Sequence, residues 1–225
     1  EHIQPTHEFM TMVRRSIGDR QQTAICFELP DIERVLEDRG FWDIYYEHCS
    51  YFSQGSLARL FRSTGFDVVA LDKAYDGQYL LIDGHPQSPG DAATARPPLP
   101  QENDLDRIRS LVDAFESKLP ATMQKWRDLF ATAKHQGRKT VIWGSGSKAV
   151  AFLTSLNLGD QVDAVTDINP YRHGMFMPGT GHQIVPPSDL LQVQPDLVVA
   201  MNPIYLTEIR EDLEEMGLNP EILAV

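Results

Sequence analysis

The chain predicts an α/β protein: a Rossmann-like, doubly wound parallel sheet in its second half, preceded by α/β structure that ends in an antiparallel hairpin. Three observations carry this. From Thr140 onward, short apolar runs alternate with helical patterns, the signature of βαβ units. Ahead of them, residues 66–71 and 78–82 flank Tyr75-Asp76-Gly77, whose Asp-Gly pair marks a hairpin turn. Between the two regions, residues 85–100 are dense in proline, with Gly, Ser and Ala. This predicts domains over 1–85 and 101–225 joined by a Pro-rich linker over 86–100.

Residues 5–17 place Phe9, Met12, Val13, Ser16 and Ile17 on one helical face, and Gly18-Asp19 ends the helix. Ala24-Ile25-Cys26-Phe27-Glu28-Leu29 predicts a strand buried on both faces, as in a parallel sheet. Asp31 caps a short helix through Leu36. Residues 56–63 form a helix with Leu57, Leu60 and Phe61 inward, closed by Gly65, and the hairpin follows. Residues 103–119 and 120–135 each carry helical spacing, so they form two helices or one long kinked helix through Pro120. Then come the strand Val141-Ile142-Trp143, the turn Gly144-Ser145-Gly146-Ser147-Lys148-Ala149 and a helix over 150–156. A strand over 162–166 ends at Asp167, another spans 197–200, a helix over 204–216 stops at Gly217, and Ile222-Leu223 closes the sheet.

A chain of 225 residues with 42% hydrophobic and 23% charged content can bury a core and is not of disordered composition. The net charge of -12 disfavours a nucleic-acid partner, whose affinity comes from Lys and Arg on phosphates. No apolar run reaches membrane-helix length, and no secretory signal is visible. Cys26 and Cys49 cannot make a four-cysteine zinc site and read as reduced thiols of a cytoplasmic protein. The first residue is Glu1, not Met, which predicts a piece of a longer protein.

Candidate chemistry concentrates in three places. Phe41-Trp42-Asp43-Ile44-Tyr45-Tyr46-Glu47-His48-Cys49-Ser50-Tyr51-Phe52 mixes large aromatic area with Asp43, Glu47 and His48. Burying charge without a partner is costly, so the mixture suits a site that binds a ligand and moves a proton. His48 starts near neutrality as a base, with Tyr45 or Glu47 as its orienter; the competing reading is a satisfied core histidine. No second ligand pair suits a metal. The turn Gly144-x-Gly146, with Ser145 and Lys148, sits where dinucleotide folds hold a pyrophosphate, and Asp167 where they hold a ribose. The third glycine of that pattern is missing, so the turn holds a cofactor, contacts a substrate phosphate or is purely structural. The loops carrying Asn169 and His173, and Asn202 and Tyr205, leave strands at the same sheet edge, where α/β sheets bind ligands.

Phe27-Glu28-Leu29-Pro30, Ile44-Tyr45-Tyr46-Glu47-His48, Ser56-Leu57, Gly65-Phe66, Gly77-Gln78-Tyr79, Trp143-Gly144-Ser145-Gly146-Ser147-Lys148, Asp167-Ile168-Asn169-Pro170, His173-Gly174-Met175 and Asn202-Pro203 together resemble the SAM-dependent sugar C-methyltransferases with a dedicated C-terminal domain. That family orders a zinc-binding domain, a SAM-binding methyltransferase domain and a Rossmann-like C-terminal domain. The resemblance implies removal of a proton next to a sugar ketone, and attack of the enolate on the SAM methyl group. It implies a site lined by Tyr45, Glu47 and His48, with His48 the base and His2 a further active-site histidine. The acceptor it implies is a nucleotide-linked keto-deoxysugar, held by Gly144, Ser145, Gly146, Lys148, Asp167, Asn169, His173, Asn202 and Tyr205.

The chain departs from the family in carrying neither the Gly-rich SAM loop nor the zinc cysteines. The resemblance therefore predicts the last part of a class I methyltransferase-like sheet, with its hairpin, followed by the whole C-terminal domain. S-adenosylmethionine would bind mostly outside these residues, zinc only in the absent N-terminal domain, and the piece alone would be inactive. A parallel sheet lacking its first strands leaves an apolar edge for another segment or a second copy to cover. Two alternatives stay open: a nucleotide-sugar-binding module with no catalysis of its own, and an NAD(P)-binding Rossmann protein.

Overall fold

A computed structural model describes residues 1–87 and 96–225. The predicted linker falls largely outside the described residues. The chain forms two compact units, residues 1–38 with 46–117 and residues 39–45 with 118–225. The division falls inside helix α4 (Leu105–His135), which runs unbroken through Pro120 and so resolves the choice between two helices and one. Among the described residues, no helix is long and apolar enough to cross a membrane.

The first unit holds α1 (Thr6–Ile17), β1 (Ile25–Pro30), α2 (Ile32–Asp38), α3 (Gln54–Ser63), β2 (Phe66–Ala74) and β3 (Tyr79–Pro86). Its strands form an antiparallel sheet in the order β1-β3-β2. The hairpin turns where predicted, with positive φ at Tyr75, Asp76 and Gly77 (52°, 55° and 73°), a conformation that Asp and Gly tolerate. Met10, Phe61, Phe66, Leu71, Leu80 and Ile82 make the core between α1, α3 and the sheet.

One expectation is corrected here. β1 is not a parallel strand buried on both faces; it is an antiparallel edge strand whose Cys26 and Glu28 are exposed while Leu29 is buried. The hairpin returns β3 between β1 and β2, so all three described strands of this unit are antiparallel and the expected parallel sheet is not what they form.

Polar contacts fix the rest of the unit. Asp31 caps α2 as predicted, its Oδ1 accepting from the Glu33 amide at 3.0 Å. Ser53 and Ser56 cap α3 reciprocally. Residues 96–104 are tied to α3: Arg62 donates to the Arg96 and Pro97 carbonyls and pairs with buried Glu102 at 2.7 Å, and buried Asp104 accepts from the Gly55 amide at 2.6 Å.

The second unit holds β4 (Thr140–Trp143), α5 (Ser147–Leu156), β5 (Ala164–Thr166), β6 (Ile184–Val185), α6 (Leu190–Val193), β7 (Leu197–Ala200), α7 (Leu206–Glu215) and β8 (Glu221–Ala224). The five strands are parallel, in the order β6-β5-β4-β7-β8. Ile142, Val165, Leu197 and Val199 pack on one face against Phe130 of α4 and Phe152, Leu153 and Leu156 of α5. Val141, Trp143, Ala164, Val198 and Ala200 pack on the other against Leu190, Ile209 and Leu213 of α6 and α7. Helices on both faces bury the sheet twice, the predicted doubly wound arrangement. Phe41 and Trp42 belong to this unit; Phe41 stacks on Phe152 with ring centres 5.8 Å apart.

Candidate functional site

In the first unit, the predicted acid–base residues lie on a stretch with neither helix nor strand, where Tyr46 and Glu47 form a turn. His2 reaches it: its Nδ1 lies 2.9 Å from the Glu47 carbonyl and its Nε2 3.4 Å from Glu1 Oε1. The His2 and His48 rings meet edge to face at 4.9 Å, and His48 meets Tyr51 at 5.9 Å. The Cys49 and Ser50 amides donate to the Glu1 carbonyl, which sets the N-terminal stretch against the turn. His48 is half-buried, with its Nδ1 buried, beside exposed His2 and Glu47.

Glu47 meets His2 through its backbone carbonyl, and Tyr45 belongs to the second unit while Glu47 and His48 belong to the first. Glu1 was not singled out, because only the fold brings residues 1 and 48 together. Donor atoms of Glu1, His2 and His48 lie within 4.8 Å of one another, so among the described residues these could hold a metal ion.

The second unit has a cleft of about 360 Å³ at the C-terminal ends of its strands. It opens between β4 and β7, where the strand order reverses and α/β sheets bind ligands. Trp143, Met201, Ile209 and Tyr205 give it apolar walls, and Tyr45 lines it as well. Of the predicted binding residues, Gly144, Gly146, Lys148, Asp167, Asn202 and Tyr205 line it. Gly144 has φ 109°, and a Cβ there would stand 3.3 Å from the Met201 Cβ, so the turn needs glycine at this position.

Ser145, Asn169 and His173 are also in this region but serve the loop itself. Asp167 Oδ2 accepts from the Ser145 amide at 2.8 Å and the Ser145 hydroxyl at 2.5 Å. Its Oδ1 accepts from the Asn169 amide at 2.9 Å. The Asn169 Oδ1 accepts from the Tyr171 amide, and His173 Nε2 lies 2.7 Å from the Asp167 carbonyl. Arg172 Nη1 lies 3.2 Å from Ser145 Oγ and 3.4 Å from Asp167 Oδ2. Burial works against ionisation of Asp167, but the Ser145 hydroxyl, the Asn169 and Ser145 amides and Arg172 outweigh it and hold the carboxyl below its ordinary range. Lys148 pairs with Asp43 at 2.8 Å. Asp43 and Arg172 are functional-region residues that sequence spacing did not assign; both act by closing on charges that it did.

A Gly-rich turn between a strand and a helix, with a cleft at the reversal of a parallel sheet, defines a Rossmann-like α/β domain. A family model, the C-methyltransferase C-terminal domain, matches residues 99–219, and the chain belongs to that family. C-methyltransferase NovU of Streptomyces niveus is 24% identical over 221 residues, covering 95% of this chain and 52% of that protein. The chain thus spans about half the length of the curated relative it matches.

Proposed function

We propose that the intact protein is a C-methyltransferase that uses S-adenosylmethionine and acts on a carbon acid, a nucleotide-linked keto-deoxysugar. The family match and the name of the relative support the reaction class. The observation that carries the catalytic assignment is the half-buried His48 imidazole meeting exposed His2 edge to face. His48 takes a proton from the carbon next to the ketone, leaving an enolate. When bound, S-adenosylmethionine would supply the methyl group that this carbon takes up, with the methyl–sulfur bond broken and its electron pair left on sulfur; no residue of this chain is assigned to hold it. The Glu47 carbonyl and the Glu1 carboxylate hold the His2 ring from either side. The cleft lined by Gly144, Gly146, Lys148, Asn202 and Tyr205 receives part of the acceptor. Exposed Cys26 and Cys49, both free thiols, suit a reducing cytoplasmic setting.

The test is His48→Ala in the intact protein, followed by exchange of the acceptor's α-hydrogen with D2O and by methyl transfer. Both should fall by about a hundredfold or more, with S-adenosylmethionine binding retained. Turnover within about tenfold of the parent would remove His48 as the base.

A further inference from the structure

We infer that Asp167 is a specificity-determining residue of the second unit's cleft: its carboxylate occupies the anion seat of the Gly144–Gly146 turn, so the cleft refuses a ligand phosphate there. In folds of this architecture, the turn after the first strand presents backbone N–H groups to a pyrophosphate, and an acid at the end of the next strand takes the ribose hydroxyls. Here the two features bind each other. The Ser145 amide and hydroxyl both donate to Asp167 Oδ2, and the Asn169 amide donates to Oδ1, so both oxygens already accept bonds from the protein. Arg172, the guanidinium at this turn, lies against the same Ser145–Asp167 pair. Lys148, the ammonium lining the cleft, is paired with Asp43.

A phosphate arriving at the turn therefore meets a buried carboxylate, 8% exposed, that already holds the Ser145 amide. Like charges at that range repel strongly where water is scarce. The remaining charged lining, Glu208 and Asp212, adds no cation. What the cleft offers instead is apolar and aromatic wall: Trp143, Met201, Tyr205 and Tyr45. It suits the uncharged ring portion of a ligand, with any phosphates held away from the turn. This holds whether or not the intact protein methylates anything, and it sets aside the NAD(P)-binding alternative.

The experiment titrates inorganic pyrophosphate and NAD+ into the full chain while following the amide resonances of Ser145, Gly146 and Ser147. The parent should show no shifts at these amides. Asp167→Ser, which empties the seat and frees Arg172, should bind pyrophosphate at least about tenfold more tightly than the parent. Asp167→Asn removes the charge, keeps one accepting oxygen and turns the other into a donor, and should show a smaller gain. Shifts at the turn of the parent with either probe would overturn the inference. So would a folded Asp167→Ser variant, with β4 and β5 resonances like the parent's, that gains nothing. If the serine variant does not fold, the asparagine variant decides: a gain supports the inference and no gain overturns it.

Discussion

Gly55→Ala tests whether residues 102–104 are locked onto α3. Replacing glycine in a helix ordinarily stabilises by about 0.5–1 kcal/mol, so the expected sign without a clash is favourable. At Gly55 a Cβ would stand 2.1 Å from Asp104 Oδ1, 2.5 Å from its Cγ and 2.5 Å from the Glu102 carbonyl oxygen. Two of those atoms belong to a buried carboxylate and one to backbone, so nothing flexible can swing aside. Residues 102–104 must retreat by roughly an ångström to restore ordinary contact. That retreat breaks the 2.6 Å bond from the Gly55 amide to Asp104. Losing a charge-assisted bond of this kind costs about 1.5–3 kcal/mol, and overpacking adds about 1–3 kcal/mol. After the helix-propensity gain is subtracted, the variant should be destabilised by about 3 kcal/mol. Urea unfolding of parent and variant, followed by far-ultraviolet circular dichroism, reads this as a lower midpoint at unchanged slope. Asp104→Ala removes the nearest two of the three clashing atoms, so the double variant should lose less than the sum of the singles. A Gly55→Ala protein as stable as the parent, or more stable, would refute the reasoning.

Other outcomes follow from the same geometry. Phe152 is fully buried and meets Phe41, Trp126 and Phe130 with ring centres 5.2–6.0 Å apart, so Phe152→Ala should cost about 3–5 kcal/mol in the same unfolding assay; a cost under about 1 kcal/mol would mean that this face of the sheet is loosely packed. Burial opposes ionisation of Glu102, but hydrogen bonds from Arg62 and the Leu99 amide, with the Arg62 charge, outweigh it and hold the carboxyl below its ordinary value. A depressed acid stabilises above its unfolded value near ~4.3 and loses that contribution as pH falls toward its lower folded value. Arg62→Ala should therefore flatten the fall in urea midpoint across that acidic window, and parallel pH curves for parent and variant would count against the pairing.

The second unit was legible because its strands are buried on both faces. Val141-Ile142-Trp143 and Leu197-Val198-Val199-Ala200 have no polar interruption, and only a sheet covered twice by helices accommodates such runs. The same logic misled at Ala24 to Leu29. That run is apolar by composition, yet its alternate residues Cys26 and Glu28 are exposed because they lie on the face of the antiparallel sheet opposite its core. Cysteine counts as hydrophobic in a pattern and tolerates exposure in a structure, so period two was hidden. β6 escaped notice for a different reason: two residues, Ile184 and Val185, carry no period at all.

The candidate site divides along the same line. Gly144 was legible because a positive φ against Met201 leaves a mark in sequence that only glycine satisfies. The role of Asp167 was not, because an acid at the end of a second strand looks the same whether it faces a ribose or a serine amide. The difference lies in distances of 2.5–2.9 Å set by how the 167–173 loop closes, through Arg172 and the Asn169 amide. A motif reports which groups are available at a turn; whether those groups are spent on each other or kept for a ligand is decided by the loop that follows. That is why the missing third glycine, a weak sequence signal by itself, gains force here: Ala149 and Val150 stand where that glycine would let the helix pack close to the strand, and Asp167 already takes the Ser145 amide of the turn.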